Sequence, residues 1–204
     1  EAELNGTRER YNRYLNPYVF LKSDTQNDKY FATRGFYLNA EGKLIDLLKA
    51  DIPRRVVQVK ADIRINIPVG KKLSYHLNLY GGITIGDDLP DFYQYRLGGI
   101  FGQNIINFKS FQGFYFAQLS SNNVALISND LQYNIYKNFF LTGNFSFANL
   151  SNSITFEDAV KVNYSSAGLT AGYKSPFGQI KINFSHAFDS RQKGIFTVIL
   201  GHWF

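Results

Sequence analysis

VQVKADIRINIP, residues 57–68, alternates apolar and polar side chains over its first eleven positions. Successive side chains of an extended strand point to opposite faces. The alternation therefore puts Lys60, Asp62 and Arg64 on one face and only apolar groups on the other. The segment predicts a β-strand with one apolar and one charged side.

The same period of two recurs along the chain. It is clear in LSYHLNLYGGITI (residues 73–85), ISNDLQYNIY (127–136) and QIKINFSHAF (179–188). Only GKLIDLLKAD, residues 42–51, has a helical character, and it is short. About nine strands are predicted. They begin near Leu15, Thr33, Val56, Leu73, Val124, Phe139, Ser165, Gln179 and Gly194.

The connections between these strands alternate in length. PVGKK, YKN and SPFG are tight turns, whereas residues 48–55, 86–122, 149–163 and 189–193 form longer links. Short turns on one rim and long loops on the other are typical of an outer-membrane β-barrel. Residues 86–122 are then a long extracellular loop.

The polar face distinguishes two kinds of barrel. A soluble up-and-down barrel also alternates, but its interior is apolar and its outer face carries the charges. Here Lys60, Asp62, Arg64 and Lys181 share the face opposite a continuous apolar one, and charges are costly to bury unpaired in a dry core. We therefore expect a transmembrane antiparallel β-barrel with its apolar face in lipid, and keep the soluble barrel as the alternative.

The C-terminal stretch GIFTVILGHWF, residues 194–204, fits the same interpretation. Phe196, Val198, Leu200 and Phe204 fall on one parity of a final strand. Trp203 and Phe204 then lie at the interfacial aromatic girdle, and a terminal Phe resembles the insertion signal of bacterial outer-membrane proteins. The alternative is an aromatic residue that closes a soluble sheet.

Composition excludes several kinds of site. The 204 residues contain no cysteine, so disulfides, thiolate metal sites and cysteine nucleophiles are excluded. The net charge of +6 comes from scattered lysines and arginines, which argues against nucleic acid. The 14 tyrosines are most simply interface anchors, with a sugar-stacking surface on the outer loops as the alternative.

No arrangement of polar residues predicts catalysis or a cofactor. His76, His186 and His202 lie in separate predicted strands, so we expect no metal site. The acidic residues at 87, 88 and 91 lack the ordered spacing of a calcium loop. A set of Ser185, His186 and Asp189 is not expected to form an active site, because Ser185 and His186 are neighbours on one strand and face opposite ways.

Five motifs occur in an order and spacing that resemble the C-terminal barrel of the outer-membrane assembly and translocation superfamily, the BamA-like or bacterial surface antigen family. FATRGFYLN resembles a strand-opening motif, and DLPDFYQYRLGG resembles the approach to the long loop. FQGFYF is similar to the loop-tip motif, NDLQYNI to the next strand, and SAGLTAGYKSPFGQIKINFSHAF to the last hairpin. These motifs include Thr33, Arg34 and Gly35; Gly98 and Gly99; Phe111, Gln112, Gly113 and Phe114; and Gln132.

The resemblance implies a loop tip inside the barrel. In the family an arginine at the tip pairs with acidic groups on neighbouring strands, whereas here the two positions are Gln112 and Gln132. Losing both charges leaves amides that are able to hydrogen-bond each other, so Gln132 is the partner expected for Gln112 in the interior. The alternative is a solvated Gln112.

This neutral version is most similar to the barrels fused behind patatin-like phospholipase domains. The chain has no Gly-x-Ser-x-Gly motif, so any lipase activity would lie in a domain outside it, and the chain itself is not expected to be an enzyme. The family barrel has sixteen strands, so the missing strands are expected upstream in a longer chain or in a partner. Residues 1–204 are then the C-terminal portion of one barrel domain.

The resemblance implies a translocator or anchor in the outer membrane of a Gram-negative bacterium. The alternative function is a passive porin-like or structural barrel. The expected partners are outer-membrane lipid and lipopolysaccharide, the barrel assembly machinery during insertion, and upstream strands or a second copy of the chain. No cofactor and no nucleic acid are expected.

Overall fold

The computed structural model describes residues 14–47, 55–86, 91–100, 107–152, 161–189 and 193–201. These ranges contain thirteen β-strands and one short 3-10 helix, Asp91–Tyr93. No helix in the described ranges is long and apolar enough to span a membrane. The strands are β1 (Tyr14–Leu15), β2 (Tyr18–Asp24), β3 (Gly35–Leu47), β4 (Arg55–Pro68), β5 (Leu73–Gly86), β6 (Tyr95–Leu97), β7 (Phe108–Lys109), β8 (Leu119–Ser121), β9 (Asn123–Tyr136), β10 (Phe139–Ser151), β11 (Tyr164–Ser175), β12 (Gly178–Ala187) and β13 (Ile195–Gly201).

Ten of the strands form one antiparallel sheet in the order β1-β3-β4-β5-β9-β10-β11-β12-β13, with β2 also paired to β3. The strands β1 and β2 occupy a single position beside β3, because the segment between them contains Pro17, which has no N–H to donate to the ladder. The sheet therefore has nine strand positions, as predicted. The strands β6, β7 and β8 form a separate small sheet inserted between β5 and β9.

The helical interpretation of residues 42–51 is wrong for residues 42–47, which belong to β3. They pair in antiparallel register with β4, from Gly42 opposite Val59 to Asp46 opposite Arg55. Ile45 is buried with Val56 and Tyr93. Strand pairing and this buried contact outweigh a weak local helical preference.

The two faces of the sheet differ in polarity as predicted. On β4, Val57 and Val59 are exposed on one face, whereas Gln58 between them is buried on the other. On β12, the same relation holds for the exposed Ile182 and the buried Asn183. We call the buried polar face the interior face. This arrangement is the reverse of a soluble barrel, whose apolar face is the buried one.

The sheet curls around its interior face. Five strand spacings separate β3 from β11, which is about 24 Å along a flat sheet. Phe31 is four residues from the start of β3, so its backbone reaches at most about 14 Å from that point. Its ring nevertheless packs against Gly172 of β11 and stacks on Phe140 of β10. Only a strongly curved sheet brings these strands within its reach.

Connection lengths follow the predicted alternation, with one exception. The turns at residues 69–72, 137–138 and 176–177 lie at one end of the strands, which we call the turn rim. The long connections lie at the opposite end, the loop rim. The exception is residues 25–34, between β2 and β3, which make a ten-residue connection on the turn rim. We call residues 25–34 the turn-rim segment.

The outward apolar face yields a direct test at Ile182, in the middle of β12. Ile182→Lys is expected to lower the unfolding free energy in lipid vesicles by about 2–4 kcal/mol, because a lysine at the lipid midplane is poorly solvated. Denaturant titration of the folded fraction measures this, with Ile182→Leu as the matched control. Equal stability of the two variants would contradict an outward-facing Ile182 in lipid.

Candidate functional site

The insertion between β5 and β9 folds onto the interior face. An apolar cluster joins it to the sheet, and every side chain in the cluster is buried. The insertion contributes Tyr95, Leu97, Phe111 and Phe114, and the strands contribute Tyr80, Val124, Leu126, Ala148 and Ala187. The interior face is therefore apolar near the loop rim, where the insertion covers it. We call the described residues 91–100 and 107–121 the inserted loop.

The predicted loop-tip residues lie at the centre of this cluster. The rings of Phe111 and Phe114 stack 5.1 Å apart, and Phe114 meets Tyr164 edge-on. Gly113 has a φ of 85°, a conformation that favours glycine, and a Cβ there would lie 2.8 Å from the backbone nitrogen of Ala187. Its amide donates to Oγ of Ser185, 3.0 Å away. The tip is thus seated on β12.

Gln112 and Gln132 have different partners. Gln112 Oε1 accepts a hydrogen bond from Asn183 Nδ2 at 3.0 Å, and Gln132 Nε2 donates to the carbonyl oxygen of Ala32 at 3.2 Å. Gln132 and Asn183 are nevertheless in register across the sheet, with Thr142 and a further threonine, Thr170, between them. Gln132 is therefore one end of a row of interior side chains, and Gln112 binds Asn183 at the other end of that row.

Gly98 and Gly99 hold the tip from the opposite side. Both have positive φ, 136° and 67°. The Gly99 amide donates to the Phe114 carbonyl at 2.8 Å, and the Phe111 amide donates to the Gly99 carbonyl at 3.1 Å. These bonds close the residues around Gln112 into a compact turn.

A buried charge network fastens the inserted loop just before its tip, and no sequence motif predicted this network. Lys109 Nζ lies 2.6 Å from Asp62 Oδ1, and Arg64 lies 2.7 Å from Oδ2 of the same carboxylate. All three side chains are at most 13% exposed. The tip is uncharged, but the loop carries a charged anchor two residues before it. Two features of the sequence could have indicated this network: Asp62 on the predicted polar face, and Lys109 as the single lysine of the long loop.

A second polar group continues this network along β3 and β4. Lys60 pairs with Glu41 at 3.2 Å and donates to Asn107 Oδ1 at 3.4 Å. Asn107 Nδ2 donates to Gln58 Oε1 at 3.1 Å and to the carbonyl of Tyr93 at 2.7 Å. Interior side chains of β4 therefore hold the inserted loop at residues 93 and 107.

The strand-opening residues Thr33, Arg34 and Gly35 close the turn-rim segment. Asn27 Oδ1 accepts hydrogen bonds from the amides of Thr33 and Arg34, at 2.9 and 3.0 Å. Gly35 has a φ of 109°, and the carbonyl of Thr25 occupies the place of a Cβ. The motif thus fixes the shape of the segment, and the exposed Arg34 side chain points away from the interior.

The turn-rim segment crosses the interior face near the turn rim. Phe31 stacks on Phe140 with ring centres 4.5 Å apart, and Lys181 Nζ lies 4.9 Å above the Phe31 ring. Asp28 forms an ion pair with Lys174 of β11. Burial on its own would raise the pKa of Asp28, but this lysine and two backbone amides outweigh burial and lower that pKa below its ordinary value. The ion pair is therefore lost only when the pH falls through the lowered value.

A band of polar side chains lies on the interior face between the inserted loop and the turn-rim segment. Asp130 accepts hydrogen bonds from Asn78 at 3.1 Å, from Ser128 at 3.2 Å and from Asn144. His76 is buried beside it and bonded to Ser74. The polar side chains of the band thus hydrogen-bond one another, as the groups of a buried network must.

The residues considered for catalysis do not converge. Ser185 faces the interior and accepts from Gly113, His186 is exposed on the outer face beside Phe188, and Asp189 accepts from Ser165. In the described ranges no group of three or more His, Cys, Asp or Glu is placed to hold a metal ion. Trp203, Phe204, His202 and the acidic pair at 87–88 lie outside the described residues.

Comparisons with known proteins agree with this architecture. The profile of the OMP85 superfamily matches residues 4–204. Among solved structures, the chain is similar to the crystal structure of BamA from Haemophilus ducreyi lacking POTRA domains 1–3, with a TM-score of 0.67 and 16% identity. The match covers 90% of this chain and 42% of that one, so the chain spans less than half of that structure. At this identity the likeness shows the fold. No curated protein matches the chain significantly.

The ion pair of Lys109 with Asp62 predicts a measurable loss of protection on mutation. Asp62→Asn leaves two cations without their carboxylate, so the inserted loop should leave the interior more often, at a cost of about 3 kcal/mol. Tryptic cleavage after Lys109 should become at least about tenfold faster, because cleavage reports how often the site opens.

Asp46→Asn is the matched control, because it removes the carboxylate of a pair whose arginine, Arg55, is 77% exposed. Cleavage after Lys109 should be unchanged in that variant, since exposed pairs contribute little. Equal protection of Lys109 in all three proteins would show that Asp62 does not hold the loop.

Proposed function

The chain belongs to the OMP85 superfamily of outer-membrane β-barrels, and from that membership we propose that it is the C-terminal portion of a larger barrel that works as a translocator or membrane anchor. Its location is the bacterial outer membrane, and barrels of this superfamily act without catalysing a reaction. The observation that carries the proposal is the inverted sheet, apolar outside and polar inside.

The filled interior favours a translocator or anchor over an open pore. The inserted loop covers the interior face near the loop rim, and the turn-rim segment covers it near the turn rim. Both are held by side-chain contacts such as Lys109 with Asp62 and Lys174 with Asp28. Passage of a polypeptide then requires displacement of these segments, whereas an anchor works with them in place.

The sheet is completed by strands outside the described residues. In the described ranges β13 pairs only with β12, and β2 only with β3, so each has one side with unpaired backbone groups. Lipid offers no hydrogen bonds to such an edge. Upstream strands of the same polypeptide, or a second copy, close the barrel, whose other partners are outer-membrane lipid, lipopolysaccharide and the barrel assembly machinery.

The uncharged loop tip supports a narrower assignment. Gln112 and Gln132 stand where the family carries a charged pair, and this neutral version is similar to barrels that follow patatin-like phospholipase domains. We therefore assign the chain to the membrane domain of a patatin-like protein, with the lipase domain upstream of residue 1.

The patatin assignment predicts a serine hydrolase in the full-length natural protein. That protein should be labelled covalently by a fluorophosphonate probe, whereas residues 1–204 should remain unlabelled, because they hold no Gly-x-Ser-x-Gly motif. Fluorescence of the protein band after electrophoresis measures the labelling. An unlabelled full-length protein would reject the patatin link and leave the barrel untouched, and a labelled residue within 1–204 would overturn the non-enzymatic assignment.

Conductance separates the translocator or anchor from the porin-like alternative. In planar bilayers the full-length protein should conduct weakly, because two segments occupy its interior. Deletion of residues 107–118 removes the tip of the inserted loop together with Lys109 and should raise the conductance several-fold. A large, steady conductance that the deletion leaves unchanged would instead support a passive porin.

A further inference from the structure

We propose that the turn rim binds the anionic headgroups of phospholipids in the membrane leaflet that surrounds it. The inference deepens the proposed function, since it rests on insertion of the barrel in the outer membrane. The binding surface consists of the three short turns and the strand ends beside them, residues 67–73, 134–139 and 173–180, which we call the turn-rim belt.

Each short turn combines an exposed apolar side chain with a lysine. Val69 is 60% exposed and precedes Lys71 and Lys72, and Tyr136 is also 60% exposed and precedes Lys137. Phe177 is 84% exposed and follows Lys174. Three separate turns thus carry the same two chemical groups, one apolar and one cationic.

The three turns lie side by side. The Asn134 amide donates to the carbonyl of Lys72 at 2.8 Å, which joins the first turn to the second. The Lys174 amide donates to the carbonyl of Asn138 at 2.9 Å, which joins the second to the third. Between them, the rings of Phe139 and Tyr173 lie 4.5 Å apart. The belt is one continuous surface.

The belt has an excess of positive charge. Residues 67–73, 134–139 and 173–180 contain four lysines and no Asp or Glu. Lys174 pairs with Asp28 of the turn-rim segment. For Lys71, Lys72 and Lys137, the described part of the chain supplies no carboxylate within salt-bridge distance. Lys72 Nζ lies 3.5 Å from a backbone carbonyl, and Lys137 Nζ lies 5.1 Å from the centre of the Tyr136 ring.

The loop rim has a different charge pattern. Its described residues mix both signs, as in the pair of Arg55 with Asp46, and Asp189 lies within five residues of Lys193. The uniform positive sign belongs to the belt of three short turns, since the neighbouring turn-rim segment also carries Asp28. It matches the negative surface potential of a leaflet that contains anionic lipid.

Lipid fits this surface better than an acidic protein does. The exposed apolar groups of the belt continue the outward apolar face, from Ile67 to Val69 on the first hairpin and from Ile135 to Tyr136 on the second. Aromatic and apolar side chains at this level sit at the boundary of the hydrocarbon. Lysines beside them extend their amines to the phosphate level while their stems stay on apolar surface.

The test uses the full-length protein in detergent, titrated with phosphatidylglycerol or with phosphatidylcholine, and native mass spectrometry counts the lipids retained. Wild type should retain phosphatidylglycerol preferentially. The triple variant Lys71→Gln, Lys72→Gln, Lys137→Gln should lose at least about tenfold in apparent affinity for phosphatidylglycerol, since each lysine near an anionic surface contributes about fivefold. Affinity for phosphatidylcholine should not change.

The loop rim supplies a matched control that removes the same charge. Arg55→Gln, Lys161→Gln, Lys193→Gln should keep the preference, because these cations are outside the belt. A triple Lys→Arg variant of residues 71, 72 and 137 should also keep it. Heat-modifiable migration on a gel shows that each variant is folded, so a barrel that fails to fold is distinguished from a folded barrel without lipid preference.

Three results would overturn the proposal. The first is equal phosphatidylglycerol retention by wild type and the lysine-to-glutamine variant. The second is an equal loss in the loop-rim control, which would indicate a general effect of net charge. The third is full displacement of the lipid by millimolar inorganic phosphate, which would indicate a site for a free anion.

Discussion

Hydrocarbon cannot donate or accept hydrogen bonds, and the rest of this structure depends on that constraint. Backbone groups of a spanning segment must be paired within the protein, so the chain forms a continuous antiparallel ladder. Side chains that meet hydrocarbon must be apolar, so polar ones collect on the other face. The charges of Glu41, Asp62 and Lys60 are consequently confined to the interior, where each has a partner of opposite sign.

Polar side chains of the interior face also provide the contacts that hold the inserted loop and the turn-rim segment. Gln132 and Asn183 lie in one row of interior side chains, and each binds a different segment: Gln132 the backbone of the turn-rim segment, Asn183 the tip of the inserted loop. Thr142 and Thr170 lie between them in this row. One row of the sheet thus contacts both segments.

The sequence was sufficient for features that depend on local periodicity. Alternation identified nine strand positions and the correct faces, and turn lengths identified the rims. It failed at residues 42–47, where pairing with β4 decides the conformation. It also missed the turn-rim segment and the contact of Lys109 with Asp62, because both join residues that are distant in the chain. One signal was present: VALI, residues 124–127, is apolar on both faces, which indicates a second covering layer.

The surroundings of the loop tip explain why the contact of Gln112 is neutral while the contact of Lys109, two residues before the tip, is charged. Phe111 and Phe114 pack into a cluster of buried apolar side chains, where an unpaired charge would be costly. Gln112 adds no net charge there, and its side-chain carbonyl oxygen accepts a hydrogen bond from Asn183. On β4 the carboxylate of Asp62 already faces Arg64, so Lys109 joins an existing ionic group. The charge of Lys109 therefore lies where Asp62 of the sheet pairs with it, and the apolar tip packs in the buried apolar cluster.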